Sequence, residues 1–317
     1  MKKHQTIALG TLGGRVSNAT AINESGNIVG NAENEEGCAR AFLYKQDGNK
    51  LINLGTLGGL QSSASAINSR GFVVGSAEIE DGVYHAFLYG SNSRELIDIN
   101  VFEHARSDAK AINEQGHIVI NSYSADKLTE TLLFNLDTWE TKQVAENIDY
   151  PCYGTAINNN DQVVGYIQSN EGARAFVYSS KSSVKPLSIV ANDSFAFDIN
   201  EQGLVTGYAR QKTSFCAYIY DIYTDKIMYL DVAENQNCFA RSINDNGFVV
   251  GTSQKLLEDN RTYYTYGFLY HDTMVDLNEI GIVTNLDNIV DATSINNSGY
   301  IVGSTTSQQA FLLKLDS

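Results

Sequence analysis

One ten-residue pattern occurs seven times along the chain and limits the possible folds more than any other feature. It reads AINESGNIVG at 21–30 and SINNSGYIVG at 294–303, and its third residue is always asparagine. Successive asparagines are 45, 45, 45, 42, 44 and 52 residues apart. A repeat of this length is typical of a β-propeller blade or of a two-helix repeat unit. The seven asparagines are Asn23, Asn68, Asn113, Asn158, Asn200, Asn244 and Asn296.

The residues inside one repeat distinguish these two architectures. Residues 15–59 contain four short runs rich in branched and aromatic residues, namely SNATAIN, NIVGNA, RAFLY and KLINLG. Turn-forming residues separate the runs, which favours strands over helices, because a helix needs about 10–12 residues with a 3.6-residue period. Six repeats have glycine in an Asn-x-x-Gly turn, and the fourth has Asp161 there. The sequence therefore predicts an all-β protein, a seven-bladed β-propeller of four-stranded blades, with a solenoid of stacked strands as the alternative.

The two ends of the sequence indicate how such a ring would close. The last repeat has three strand-like runs before Ser317, whereas the N-terminus has an extra run, TIALG, similar to LINLG of the first repeat. Pairing the extra run with the last blade would remove two exposed sheet edges. We therefore predict a single domain, 1–317, closed by the N-terminal strand. Its predicted blades are 15–59, 60–104, 105–149, 150–191, 192–234, 235–287, and 288–317 together with 1–14.

Several of the runs resemble a known repeat family. HAFLY at 85–89, RAFLY at 40–44 and RAFVY at 174–178, together with LGTLGG at 9–14 and 54–59, are similar to the HAF repeat. That family is described as a bacterial extracellular repeat. The resemblance covers essentially the whole chain, with degenerate copies TLLFN and CAYIY in the third and fifth repeats. It implies a propeller-like β fold and no single activity.

Charge narrows the classes of partner. The chain has 37 acidic and 22 basic residues, a net charge of −15, which repels nucleic-acid phosphates and anionic lipids. It contains no run of about 18 apolar residues, and MKKHQTIALG lacks the apolar segment of an export signal. We therefore expect a monomer with no nucleic-acid partner and no membrane insertion. Its expected location is the cytoplasm, or outside the cell by a secretion route that uses no N-terminal signal peptide. An extracellular location is also expected if a signal peptide has been removed.

Familiar catalytic and cofactor motifs do not occur in the sequence. It has no phosphate-binding P-loop, no H-E-x-x-H, no G-x-S-x-G and no EF-hand loop. LGTLGG lacks the G-x-G-x-x-G spacing of a dinucleotide site, so we interpret it as a tight connector between blades. We expect no cofactor and no metal. The cysteines have no paired spacing and are expected to be small buried residues rather than disulfides or a metal site; they are Cys38, Cys152, Cys216 and Cys238.

Small residues identify the strand that should lie nearest the propeller axis. Alanine occupies the positions two and four before the asparagine in the first three repeats, as in Ala21 and Ala19, and small side chains let neighbouring backbones approach. The repeated asparagine is interpreted as a turn lock. The alternative is a functional ring of seven amides.

Positions that differ between blades are more informative about binding. Blades two and three supply charged residues near the mouth of the funnel, whereas blades four to six supply Tyr153, Phe195, Phe197 and Phe239. Such a rim would suit a peptide, or a ligand with a polar and an apolar end, and an ordinary solvated rim is the alternative. The predicted ligand-binding rim consists of Arg40, His85, Arg106, Asp108, Lys110, Glu130, Tyr153, Arg174, Phe195, Phe239, Arg241, Tyr266 and Asp291.

Two classes of function are compatible with this rim. The first is a binding scaffold for a protein or peptide, with a carbohydrate-binding propeller as a variant that the single tryptophan, Trp139, disfavours. The second is an enzyme of hydrolase or lyase type in the funnel. We place the working surface on the face opposite the Asn-x-x-Gly turns. The acid–base candidates for the enzyme are His85, His104, Asp108 and Glu130.

Overall fold

Seven antiparallel sheets surround one axis in the computed structural model of the chain, which confirms the predicted seven-bladed β-propeller. Each first strand contacts the first strands of both neighbouring blades, so the first strands form the innermost layer. The structure describes residues 4–48, 50–90, 93, 95–102, 106–124, 128–146, 148–191, 193–230, 236–257, 259, 261–282 and 287–315.

The strands of each blade follow one another outwards from the axis. Blade one contains β2 (Gly13–Ile22), β3 (Ile28–Asn34), β4 (Ala39–Lys45) and β5 (Lys50–Asn53). Blade two contains β6 (Gly58–Ile67), β7 (Val73–Ile79), β8 (Tyr84–Tyr89) and β9 (Ile97–Asp98). Blade three contains β10 (Arg106–Ile112), β11 (His117–Tyr123), β12 (Glu130–Asn135) and β13 (Thr141–Gln143). Blade four contains β14 (Cys152–Ile157), β15 (Val163–Ser169), β16 (Gly172–Ser179) and β17 (Ser183–Pro186).

The remaining blades have the same order. Blade five contains β18 (Ser194–Ile199), β19 (Leu204–Gln211), β20 (Ser214–Asp221) and β21 (Lys226–Tyr229). Blade six contains β22 (Gln236–Ile243), β23 (Val249–Leu256), β24 (Tyr263–His271) and β25 (Thr273–Asp276), and is followed by α1 (Leu277–Ile280) and β26 (Gly281–Ile282). Blade seven contains β27 (Ile289–Ile295), β28 (Tyr300–Thr305), β29 (Ala310–Lys314) and β1 (His4–Ala8).

The N-terminal strand closes the ring as predicted. β1 pairs antiparallel with β29, placing Thr6 opposite Leu313 and Ala8 opposite Phe311. β1 is the fourth strand of this blade but not the edge of its sheet. The short strand β26 pairs in parallel with its other side. This strand comes from the longest spacing between successive asparagines, 52 residues, which also accommodates α1.

The LGTLGG segments are tight connectors from the last strand of one blade to the first strand of the next. A Cβ on Gly14 would lie 2.4 Å from the Cβ of Glu33, so only glycine allows this close approach. The hydroxyl of Thr11 donates to the main-chain oxygen of Gly14 at 3.0 Å. The second copy at 54–59 repeats both features, which confirms the connector interpretation.

The repeated asparagine has two structural roles, of which the sequence predicted one. The side-chain oxygen of Asn23 accepts the main-chain N–H of Asn27 at 2.9 Å, which locks the turn as expected. Its Nδ2 donates to the main-chain oxygen of Asn68 in the next blade at 2.9 Å. The same inter-blade bond recurs around the whole ring, until Asn296 donates to Asn23 at 3.0 Å. All seven side chains are therefore parts of one closed, buried hydrogen-bonded ring.

Each first strand also contains a β-bulge at the same place. The pairing with the second strand skips one residue, as between Ala19 and Ala21 in blade one. A bulge leaves one extra residue unpaired and redirects its side chain. The seven extra residues, three positions before each asparagine, are Thr20, Ser65, Lys110, Thr155, Phe197, Arg241 and Thr293.

The apolar core lies between neighbouring blades rather than at the axis. Five phenylalanines at one repeated position of the third strands, such as Phe42, are completely inaccessible to solvent, and Tyr218 at the same position of blade five is too. Phe42, for example, packs in a cluster that contains Ile22 of its own blade and Leu312 of blade seven. Such burial stabilises the fold by about 2–3 kcal/mol per side chain.

Candidate functional site

Blades four to six present a set of aromatic rings in mutual contact, which we call the aromatic arc. It lies near the axis, on the face opposite the Asn-x-x-Gly turns. Its members come from first, second and third strands of three blades, and every one of them is partly exposed. The arc consists of Tyr153, Tyr166, Phe195, Phe197, Tyr208, Phe215 and Phe239.

Strand register explains how the arc is built. In blade four Tyr153 of β14 lies opposite Tyr166 of β15, and in blade five Phe195 of β18 lies opposite Tyr208 of β19. Directly opposed residues have neighbouring side chains on the same face of a sheet. In the other blades the equivalent pairs are entirely or partly polar: Asn18–Asn31, Ser63–Ser76, Asp108–Asn121, Phe239–Thr252 and Asp291–Ser304.

Ring contacts connect the arc across the blade boundaries. The centroids of Tyr166 and Phe195, in neighbouring blades, are 5.0 Å apart, and those of Tyr208 and Phe239 are 4.9 Å apart with perpendicular planes. Phe197 stacks on Tyr208 at 5.3 Å. Burial raises the pKa of Tyr166 and Tyr208, so both phenols stay neutral at physiological pH and act as aromatic surfaces with one polar end.

An ion pair flanks the arc on the side of blade three. The side chain of Asp108 is nine-tenths buried, and its Oδ2 contacts the ammonium group of Lys110, while Oδ1 has no hydrogen-bond partner among the described residues. Burial and the neighbouring Asp108 carboxylate raise the pKa of Tyr123. The ring of Tyr123 lies 6.4 Å from that of Tyr153, and the guanidinium of Arg106 lies 5.3 Å from its centroid. Asp108 was predicted to belong to the ligand-binding rim, but its side chain is buried.

Arg241 flanks the arc on the side of blade six. Its guanidinium lies 5.4 Å from the ring centroid of Phe197. The nearest carboxylate is that of Asp291 in blade seven, 4.0 Å from Nε, and this carboxylate also accepts a hydrogen bond from Thr252. Arg241 Nε is buried and has no hydrogen-bond partner in the described part of the chain.

A second arginine packs against the outer end of the arc. Arg210 lies 4.4 Å from the ring centroid of Phe215 and bonds Asp193 through Nε at 2.9 Å. This hydrogen bond is the main cause that lowers the pKa of Asp193. The pair therefore stays ionised over the whole physiological range.

The predicted residues at the start of the third strands do not join the arc and instead contact the connectors and strands around them. His85 Nδ1 lies 2.8 Å from Asp98 Oδ2, and its Nε2 faces the amide nitrogen of Asn100 at 3.4 Å. Arg174 donates to the main-chain oxygen of Ala191 at 2.6 Å.

Three other predicted residues of this set have equally local surroundings. Arg40 lies beside the main-chain oxygen of its neighbour at 3.4 Å, and the hydroxyl of Tyr266 accepts a hydrogen bond from Gln236 at 2.6 Å. Glu130 begins β12 and lines a separate small cleft with Tyr150. His104 lies outside the described residues. Among the described acid–base candidates, no hydrogen bond joins His85, Asp108 and Glu130.

The sequence analysis missed four aromatic residues, three of the arc and one, Tyr123, that flanks it. Six of the seven second strands have glycine at the same position, and Tyr166 and Tyr208 follow it in VVGYI and VTGYA. At the position of these tyrosines the other blades have Asn, Ser or Thr. Counting the strand register from the turn would have placed Gly154 and Ala196 opposite them, because such a count omits the β-bulge that brings Tyr153 and Phe195 opposite these tyrosines. Phe215 and Tyr123 had no comparable signal, because they lie where loop lengths differ between repeats.

The described residues contain no group of three or more histidine, cysteine, aspartate or glutamate side chains placed to hold a metal ion. Nor does any helix in the described ranges have the length and apolar character needed to cross a membrane. Cys152 and Cys238 are buried as expected, whereas Cys38 and Cys216 are only partly buried. Burial raises the thiol pKa of Cys152 to about 11 and that of Cys238 to about 12, which makes both unreactive packing residues.

Solved structures with the same architecture come from proteins of diverse activity. The oligogalacturonate lyase of Vibrio parahaemolyticus superposes with a TM-score of 0.64 at 10% identity, over 98% of this chain and 94% of that one. The β-propeller domain of the Trilobed protease from Pyrococcus furiosus gives 0.56 at 13% identity, over 81% and 80%. TolB from Acinetobacter baumannii gives 0.52 at 13% identity, over 97% of this chain and 65% of TolB.

These likenesses show the propeller fold alone, since identities this low carry no activity. The chain spans only about two thirds of the length of TolB. No curated protein sequence matches the chain. Residues 185–310, which include most of the aromatic arc, match the model of a family described as a protein of unknown function, DUF3466.

Proposed function

We propose that this propeller is a binding module whose aromatic arc receives a peptide segment of a partner protein. The observation that carries the proposal is the arc itself. Seven partly exposed aromatic side chains are in continuous contact on one side of the circle of blades. Contiguous exposed apolar surface is unusual in a soluble domain and typically marks an interaction site.

The repeat itself supports this interpretation. Polar pairs such as Ser63–Ser76 occupy the same two positions in other blades and are compatible with the same strand geometry. The aromatic pairs in blades four and five are therefore not needed to build a blade. Aromatic residues and arginine are the side chains that contribute most to protein interfaces, and Arg241 and Arg210 border this arc.

The face on which the arc lies also favours an asymmetric ligand. The Asn-x-x-Gly turns at the other end of the strands are nearly identical in every blade and have most of their amides occupied by hydrogen bonds within the ring. A peptide has no sevenfold symmetry and needs contacts that differ around the axis. The arc and its flanking ion pairs supply such contacts.

Selection of peptides from a displayed library of random dodecapeptides on the purified protein tests the proposal. We expect the enriched peptides to contain aromatic or large apolar residues. The double variant Phe195→Ser, Tyr208→Ser copies the natural pair of blade two and should weaken their binding at least tenfold, which is about 1.4 kcal/mol.

The matched control is Tyr223→Ser, which removes an exposed aromatic ring at a turn away from the arc. This variant should bind the selected peptides as the unchanged protein does. Peptides that bind the double variant equally well would contradict the proposal. So would a library that yields no binder while oligogalacturonides bind to the arc.

The enzyme hypothesis has weaker support from the described residues. Asn100 Nδ2 is a donor, so His85 Nε2 acts as acceptor towards it and Nδ1–H donates to Asp98. Neither ring nitrogen is then free to act on a substrate as a general base. Asp98 is also the more exposed member of the pair, at 43% against 13%, whereas an orienting carboxylate is normally buried.

A further inference from the structure

The bulge residue of each first strand has a structural role that three blades retain. Thr20 donates its hydroxyl to the main-chain oxygen of Ala64 in the next blade at 2.8 Å. Thr155 and Thr293 donate in the same way to the equivalent alanines, at 2.9 and 2.8 Å. We call this inter-blade hydrogen bond of a threonine the clamp. Blades three, five and six have lysine, phenylalanine and arginine in place of the threonine, and all three residues lie beside or within the aromatic arc.

Arg241 is the replacement whose charge is least satisfied. It makes no hydrogen bond with the described residues, its Nε is buried without a partner, and Asp291 lies 4.0 Å away. Lys110, in contrast, is in direct contact with Asp108. A guanidinium has five donors in a fixed planar arrangement that matches a carboxylate in a bidentate way. Arg241 therefore has the donors for an additional acidic group.

The apolar surroundings of Arg241 specify what must accompany that acidic group. Phe197 lies 5.4 Å from the guanidinium and stacks on Tyr208, which in turn contacts Phe239 at 4.9 Å. A ligand group held by Arg241 is thus within one side-chain length of three aromatic rings. The C-terminal residue of a peptide has its carboxylate and its side chain on the same Cα, which fits this short spacing.

We propose that Arg241 binds the free C-terminal carboxylate of a peptide whose last side chain is aromatic and packs on Phe197, Tyr208 and Phe239. This inference rests on the proposed peptide-binding function and specifies the end of the peptide that enters the arc. The net charge of −15 does not oppose it at contact distance, because charges farther than about 8–10 Å are largely screened at physiological salt.

Three synthetic tripeptides test the inference by calorimetry or by tyrosine shifts in NMR spectra. They are acetyl-Gly-Phe-Phe with a free C-terminus, the same peptide as its C-terminal amide, and acetyl-Glu-Phe-Phe amide. We expect the free acid to bind at least tenfold more tightly than either amide. Arg241→Gln should make the free acid as weak as its amide, and Arg241→Lys should retain part of the difference.

Two further variants complete the design. Arg70→Gln is the matched control, because Arg70 also lies over a phenylalanine ring, 4.8 Å from Phe72, but at a turn on the opposite face. It should leave all three affinities unchanged. Asp291→Asn removes the nearest competing carboxylate and should tighten binding of the free acid.

Each outcome separates this inference from the proposed function. If acid and amide bind equally, and the Phe195→Ser, Tyr208→Ser variant weakens both, the arc binds peptides and the carboxylate role of Arg241 is refuted. If the glutamate-containing amide equals the free acid, the carboxylate comes from a side chain and the C-terminal assignment is overturned. If no tripeptide binds at millimolar concentration while the selected dodecapeptides still bind the arc, the C-terminal assignment is refuted and the proposed function stands. Melting curves of every variant exclude loss of fold as the cause.

Discussion

The asparagine ring and the aromatic arc lie on opposite faces of the propeller, the ring in all seven blades and the arc in blades four to six, and they differ in almost every physical respect. In the ring, one residue type repeats seven times, and each side chain is at most 5% exposed and hydrogen-bonded to the next blade. In the arc, three blades have partly exposed aromatic rings where others have asparagine, serine or aspartate. The hydrogen bonds of the ring are made within the ring, whereas the arc has partly exposed apolar surface and an arginine whose nearest carboxylate, that of Asp291, is 4.0 Å away.

The difference shows how a repeated fold acquires a specific surface. Contacts between blades require the same geometry at every boundary, so the residues that make them are held constant. Six of the seven residues five positions before the asparagine are partly exposed, and changing partly exposed residues generally costs little stability. Four predictions, from the largest expected effect to the smallest, test this division.

Closure of the ring should have the largest effect. Removing the first eight residues deletes β1 and exposes the edge of β29 from Phe311 to Leu313. We expect a loss of stability greater than the ~4–5 kcal/mol that single substitutions reach, together with aggregation through the free edge. Urea denaturation and light scattering measure both. Ile7→Lys, which changes an exposed side chain of β1 without deleting the strand, should unfold near the unchanged protein. A truncated protein as stable as the full chain would show that closure by β1 is unimportant.

Two asparagine substitutions compare the two ends of the strands directly. Asn68→Ala removes the inter-blade donor to the main-chain oxygen of Asn113, which keeps only its bond from the N–H of Gly116, and leaves the part-buried N–H of Phe72 without its acceptor. We expect a loss of about 2–4 kcal/mol in the free energy of unfolding. Asn18→Ser, which copies blade two at the arc end of the strand, should cost less than about 0.5 kcal/mol. Equal losses from both variants, measured by urea denaturation, would contradict the division between ring and arc.

Asp198 is an exception within the uniform region and predicts a pH effect. Four blades have alanine at its position, but its Oδ2 accepts hydrogen bonds from Ser242 and from the N–H of Ile243 in the next blade. The residue is partly buried by area, and its enclosed carboxylate has a pKa raised by burial to about 6. Because the pKa is higher in the folded than in the unfolded chain, folding favours the protonated form. Stability is therefore lost as pH rises from about 4 to about 6.

The size of this effect follows from the difference of about two pKa units, which corresponds to about 2–3 kcal/mol. We expect the unchanged protein to lose this much stability between pH 4 and pH 7 relative to Asp198→Asn, which does not titrate. Denaturant unfolding of the two proteins across this range measures the difference. Parallel stability curves would show that the carboxylate is as well solvated in the folded chain as in the unfolded one.

The smallest effect should also have the opposite sign. Arg241→Thr restores the clamp of blades one, four and seven, with Ala292 as the equivalent acceptor. We expect a gain of about 0.5–1.5 kcal/mol, the usual contribution of one hydrogen bond, and loss of the preference for a free C-terminus. Arg241→Ser, the residue of blade two, should give no such gain, since Ser65 makes no clamp bond among the described residues. If Arg241→Thr is less stable than the unchanged protein, the arginine is part of the scaffold.

Much of the fold could be predicted from the sequence because it depends on local chemistry repeated many times. The Asn-x-x-Gly turns, the short branched and aromatic runs and the spacing of the seven asparagines specify the number of blades and the order of their strands. The extra N-terminal run specified the closure. The aromatic residues Tyr153, Phe195 and Phe239 could be selected because they interrupt an otherwise polar position.

Tertiary structure decided what depends on residues far apart in the chain. The hydrogen bond from Asn23 to Asn68 spans 45 residues, and no local pattern shows that a turn residue also joins two blades. The burial of Asp108 depends on its packing and on Lys110 beside it, and strand register alone brings Tyr166 and Tyr208 into the arc. Local sequence sets backbone conformation, whereas the pairing of strands and the closing of a ring determine which side chains meet and which donors stay free.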